Sequence, residues 1–192
     1  MGGVLRFIAS FFKSSNKNQS NVNVLLTVLN ITDEQSLTEP FNTDNKSAIL
    51  LNKNDHFFFD NISSLINESP GSNTLTNSTI EIIEEDEHSA AWLIVKNSSF
   101  EDMVMSLDHI SEFIFKSGLG EKMTAAVFKS QFRNNAAYLI CNYRTAKFYP
   151  FVPKENRTRH NELEIDIGDQ LTALGIPVEP HSNWYALWDI PF

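Results

Sequence analysis

Apolar and polar positions alternate along this chain in a way that marks out its elements before any chemistry is considered. Ala90-Ala91-Trp92-Leu93-Ile94-Val95 is a continuous apolar run of β-branched and aromatic residues, which predicts a buried strand. Phe100, Met103, Val104, Leu107, Ile110 and Ile114 recur at helical spacing. Ser98 stands as N-cap with Glu101 three residues on, and Gly118 supplies the stop, so one long helix is predicted over about 99–117. Met123–Phe128 reads as a strand, Arg133-Asn134-Asn135 as a turn, and Ala136–Tyr143 as the returning strand of a hairpin. Arg144–Lys147 turns again into Phe148-Tyr149-Pro150-Phe151-Val152-Pro153. Its prolines place that run at a sheet edge, because they cannot donate ladder hydrogen bonds.

Other segments read less sharply. Val24–Leu29 is either the first helix of the body or a strand, with helix favoured, and Ala48–Leu51 reads as a strand. Residues 60–79 are rich in Ser, Thr and Asn and read as loop, with some helix at Ile62–Ile66. Ile80–Ile83 is a further strand, and Glu84-Glu85-Asp86-Glu87 a solvated turn after it. Those carboxylates are contiguous and lack the turn glycines of a calcium loop. Leu163, Ile165 and Ile167 alternate as in a strand, whereas Leu171 and Leu174 step as in a helix. A short strand leading into a two-turn helix is therefore predicted. The end, NWYALWDIPF, is aromatic and is expected to dock and seal the core. The order predicts an α+β fold: a mainly antiparallel sheet, the long helix packed on one face, short helices, and a docked aromatic carboxyl-terminal tail.

The first 17 residues follow a different pattern. On a helical wheel Val4, Leu5, Phe7, Ile8, Phe11 and Phe12 fall within an arc of roughly 160°, with Arg6, Ser10, Lys13 and Lys17 opposite. A short basic amphipathic segment of this kind lies at a bilayer surface as a helix, docks on its own core, or stays disordered. Val4, Leu5, Arg6, Phe7, Ile8, Phe11, Phe12 and Lys13 are thus membrane-contact candidates. Residues 18–23 read as a linker and 24–192 as one domain. Arg6 and Ser10 interrupt the apolar stretch a signal peptide needs, and Arg6 stands where myristoylation wants Ser or Thr. A cytoplasmic location is expected, with peripheral contact to the inner face of the membrane.

Composition narrows the function classes. The 192 residues are 42% hydrophobic and carry a net charge of −9, with no apolar run of bilayer length. A general nucleic-acid binder would need a basic field, so no nucleic acid is expected as partner. The lone Cys141 excludes an internal disulfide. It sits mid-strand among apolar neighbours, as a core thiol does. No phosphate-binding, zinc-protease or nucleophile-elbow motif is present, and His109 with Glu112 fits a solvated helix face. No catalytic set, cofactor or metal site is expected. The basic, aromatic stretch 144–159 is the most informative charged one: Arg144, Lys147, Tyr149, Lys154, Arg157 and Arg159 are partner-surface candidates. Its cations pair with acidic groups of the same chain, or they contact a partner or an anionic membrane.

Several segments in order carry a resemblance: AWLIV at 91–95, SGLGEK at 117–122, KFYPFVP at 147–153, RHNELE at 159–164, PVEP at 177–180 and WYALWDIPF at 184–192. Over about 90–192 the chain resembles the PspA-associated protein B family, in which Asp often stands at the position of His160. The resemblance implies an accessory protein of PspA-type envelope-stress systems, linked to HtpX-like membrane proteases, and it carries over no catalytic residue. An adaptor is therefore expected, with a PspA-like protein or an HtpX-like protease as partner. A peptide-binding chaperone-like module is the alternative.

Overall fold

The computed structural model describes residues 22–32, 39–52, 78–85 and 90–192. The amphipathic segment 1–17, the helix considered at Ile62–Ile66, and Asp86 and Glu87 lie outside the described residues. A 3-10 helix over Val22–Thr32 comes first, beginning inside the stretch read as linker. Its length is unusual for that geometry. The sequence accounts for it: Leu25, Val28 and Ile31 recur every third residue and are all buried. A helix of three residues per turn stacks them in one line against the core. The Thr27 and Thr32 hydroxyls donate back to the Val24 and Leu29 carbonyls at 2.7 and 2.8 Å.

Six strands form one antiparallel sheet: β1 (Asn42–Asn52), β2 (Thr79–Glu85), β3 (Ala90–Lys96), β4 (Met123–Phe132), β5 (Asn135–Asn142) and β6 (Lys147–Phe151), in spatial order β2-β3-β1-β4-β5-β6. Strand β1 is central, with Ile49 opposite Leu93 on one side and Ala126 on the other. Helix α1 (Phe100–Ile114) carries the chain from β3 over β1 to β4. Glu84 and Glu85 end β2 rather than forming a turn.

Both faces of the sheet are covered, which explains the unbroken apolar runs of β1 and β3. On one face Ile49, Leu51, Leu93, Val95 and Phe128 pack with Leu25, Met103, Leu107 and Ile110. On the other, Leu50, Trp92, Ile94, Val127, Ile140, Tyr149 and Phe151 pack with Leu187 and the aromatic tail. Helices cover one face, as expected, and the aromatic tail, expected to dock, covers the second.

Local details follow the residues closely. Ser99, not Ser98, caps α1, its hydroxyl accepting from the Asp102 amide at 3.1 Å. The register is one residue later than predicted because the side chain of Asn97 takes the Ser98 amide, at 2.5 Å. Past Ile114 the helix widens into a π turn (Phe115–Leu119) broken at Gly118, whose φ of 79° suits glycine. The β4–β5 hairpin turns on Arg133 and Asn134, both at positive φ, as a two-residue turn between twisted strands requires. Arg133 is fixed there by Glu39 and by Asp166 at 2.6 Å, and its guanidinium lies 5.1 Å from the Phe132 ring. That hydrogen bond and charge hold the Glu39 carboxyl below its usual range.

Residues 161–173 correct the sequence reading. They form one helix, α2 (Asn161–Ala173), with no strand before Ile167. Leu163, Ile167 and Leu171 are four apart and buried, while Ile165 is exposed. The helical stripe outweighs the alternation because Leu163, Ile167 and Leu171 fall one turn apart on a single helix face, leaving only Ile165 on the opposite side.

Candidate functional site

The most elaborate polar arrangement lies where β6 ends and the tail returns. After Phe151 the chain makes a small ribbon, β7 (Pro153–Lys154) with β8 (Thr158–Arg159), turning through Asn156 and Arg157 at positive φ, and then enters α2. The ribbon delivers Arg159 beside the first turn of α2. Its Nε donates to Glu164 Oε2 at 2.7 Å, its Nη1 donates to the Trp184 carbonyl at 2.9 Å, and its guanidinium lies 5.7 Å from the Phe151 ring. Glu164 Oε1 accepts from the Val152 amide at 2.8 Å, and the Glu164 side chain is 1% exposed. One buried carboxylate thus ties the end of β6, the ribbon and α2 together, and the arginine hands that connection on to the tail.

A second carboxylate does the same one step along the tail. Phe148 of β6 forms a parallel bridge with Val178: its amide donates to the Pro177 carbonyl at 2.7 Å, and Glu179 N donates to its carbonyl at 2.8 Å. Buried Glu179 accepts from the Thr145 hydroxyl and from the side-chain amides of Asn142 and Asn183 at 3.4 and 3.3 Å. Its backbone carbonyl accepts from the Trp184 indole at 2.9 Å. That indole lies against Gly168 in α2. A Cβ at 168 would stand 2.5 Å from the ring, so the helix keeps a glycine there despite its cost of about 1 kcal/mol relative to Ala. The His181 ring meets the same indole edge-on at 4.7 Å. His160 sits just before α2, its amide donating to the Val152 carbonyl.

Near Arg159 and Glu179 stands Tyr149. It is fully buried, and burial pushes its hydroxyl well above the ordinary range. The hydroxyl has no hydrogen-bond partner among the described residues, and neither has Arg159 Nη2. An unsatisfied buried hydroxyl is a net burden of about 1–3 kcal/mol. Tyr149→Phe is therefore expected to raise stability by about 1 kcal/mol in urea denaturation. A loss of that size would show that the hydroxyl is satisfied by a bound molecule.

The six residues singled out from 144–159 do not form one surface. Tyr149 is interior, so it offers nothing to a partner; it points inward because alternation along β6 sets it in the second core beside Phe151. Arg144 and Lys147 lie at the start of β6, and Lys154, Arg157 and Arg159 beyond its end. Arg157 pairs with Asp189 of the tail at 2.7 Å, and Arg159 with Glu164. Of the two roles left open for this stretch, pairing within the chain is what these two arginines do. Lys154 is exposed. The membrane-contact candidates Val4, Leu5, Arg6, Phe7, Ile8, Phe11, Phe12 and Lys13 lie outside the described residues.

Other chemistry-bearing groups are engaged structurally. Cys141 is buried, and burial pushes its thiol well up, away from a nucleophile's range. Glu112 pairs with Lys116 at 2.8 Å. Among the described residues no group of three His, Cys, Asp or Glu side chains gathers as a metal site, and no helix is long and apolar enough to cross a membrane.

Sequence reasoning did not anticipate Glu164 or Glu179. Glu164 sits on the inner stripe of α2, between Leu163 and Ile167, and a carboxylate on that stripe is the signal that a cation must meet it.

These features define an α+β protein on a six-stranded antiparallel sheet, with an aromatic carboxyl end latched by buried carboxylates. The chain belongs to the family of PspA associated protein B, whose model matches residues 5–192. The match takes in the amino-terminal half as well as 90–192, where the resemblance is clearest. No curated protein and no solved structure matches the chain.

Proposed function

We propose that this protein is a non-enzymatic adaptor of a PspA-type envelope-stress system, acting at the cytoplasmic face of the membrane. The observation that carries the reading is the family match over nearly the whole chain, to proteins described by their association with PspA. Two features support the finer parts. The opening 17 residues segregate apolar from basic positions, which suits reversible contact with anionic lipid. The polar groups of the latch bond to one another and to backbone, which suits a scaffold. A PspA-like protein is the first partner, and an HtpX-like membrane protease the second.

The test is affinity capture from crosslinked membranes, with the full-length chain against a chain lacking residues 1–17. Full-length protein should bring down the PspA-like protein, and the shortened chain should recover less of it from the membrane fraction. Capture of the protease without the PspA-like protein would overturn the assignment of the first partner. Equal recovery by both chains would remove the membrane role of the opening segment.

A further inference from the structure

The second face of the sheet is closed by an unusual cover. Residues 186–192 form no backbone–backbone hydrogen bond with another described residue. They have no helical or strand structure of their own. They hold on through side chains: Leu187 is fully buried, and Trp188 meets the Phe151 ring edge-on at 4.9 Å. Phe192 meets Tyr138 at 6.4 Å, and the Tyr138 hydroxyl donates to the Phe192 carbonyl at 3.0 Å. One exposed ion pair, Arg157 with Asp189, fastens the middle. Asp189 has a φ of 65°, a conformation that L side chains adopt at some strain. Just before this strap, by contrast, Trp184 is fixed by its indole bond to Glu179 and its carbonyl bond to Arg159.

We propose that residues 186–192 are a displaceable strap, and that the face beneath them is a docking groove for an extended partner segment of the same chemistry. The occupant on the page defines that chemistry: two aromatic side chains separated by an acid, as in Trp188, Asp189 and Phe192. Phe151 and Tyr138 receive the rings, and Arg157 receives the acid. A segment held by side-chain contacts and by one hydroxyl bond to its Phe192 carbonyl is replaceable in trans without breaking a backbone ladder. The closed strap competes as an intramolecular ligand at high effective concentration, so it sets the threshold for the incoming segment. The groove rests on the adaptor reading for its purpose, but its test reads the groove alone.

The probe is a labelled synthetic peptide of residues 183–192 added to the full-length protein. Trp188→Ala in the protein, with the peptide unchanged, should tighten binding at least tenfold, as the strap competes less well. A peptide with both aromatic positions of the strap replaced by alanine should bind neither protein. Phe192→Ala, a truncation at the far end of the strap, gives the same comparison should Trp188→Ala fail to fold by circular dichroism. Equal peptide affinity for wild type and a folded strap variant, or no binding to either, overturns the proposal. In that event capture of the PspA-like protein would still stand or fall separately.

Discussion

Truncating Glu164 to Ala is expected to lower the unfolding free energy by about 3 kcal/mol. Removing one partner of a buried ion pair costs about 3–5 kcal/mol, because the other charge is left unpaired. The lower end applies here, since Arg159 retains 22% side-chain exposure and can regain some water. The Val152 amide loses its acceptor at the same time. Glu164→Gln keeps an acceptor for that amide but not the charge for Arg159, so it should cost roughly half as much. Urea denaturation of the two variants separates the terms. A loss below about 1 kcal/mol for Glu164→Ala would mean the latch is ornamental. Indole emission gives a second readout, because Arg159 holds the Trp184 carbonyl: the variant's emission should shift to the red before global unfolding.

The second large effect has the opposite sign and depends on pH. Asp108 lies on α1, and its Oδ1 is shut off from solvent without a hydrogen-bond partner among the described residues. Burial first, and then the charge of Glu112 a turn away, push its carboxyl up from 3.8 to about 6. A raised carboxyl pKa favours the folded state only while the group is protonated. The advantage is complete below pH 3.8 and is gone once pH has risen through about 6. The full shift corresponds to about 3 kcal/mol, which solvent screening of a part-buried group reduces to about 1–2 kcal/mol. Asp108→Asn is therefore expected to stabilise the protein by about 1–2 kcal/mol at pH 7.5. The difference from wild type should vanish near pH 4. Parallel melting of the two proteins across that range checks it, and a pH-independent difference would refute the assignment to Asp108.

Much of the fold was legible in the chain because burial on both faces leaves long apolar runs. Ala90–Val95 and the stripe from Phe100 to Ile114 could be read in only one way. The carboxyl end was legible as docked because nine residues carry four aromatic side chains beside Leu187 and Ile190 and only one charge. What the pattern lacked was direction. Nothing in WYALWDIPF says which face it covers. The strand misread at 163–167 arose because Ile165 and Ile167 are β-branched and two apart, which fits a strand locally; only the continuation through Leu171 decides for a helix. The latch was hidden for a related reason. Arg159 and Glu164 are five apart in sequence, a spacing that matches neither helical nor strand pairing. They meet because the chain changes from ribbon to helix between them.

The central position of β1 has a consequence for synthesis. Its neighbours on both sides, β3 and β4, come later in the chain, and the second ends only at Phe132. At 5–20 residues per second a ribosome needs roughly 4–16 s to travel from Asn52 to Phe132. Throughout that interval Ala48-Ile49-Leu50-Leu51 lacks at least one of its two companions, since β3 is complete at Lys96 but β4 only at Phe132. Premature termination anywhere before the hairpin would therefore release a sticky fragment, and slow translation of this stretch would lengthen its dependence on holding factors.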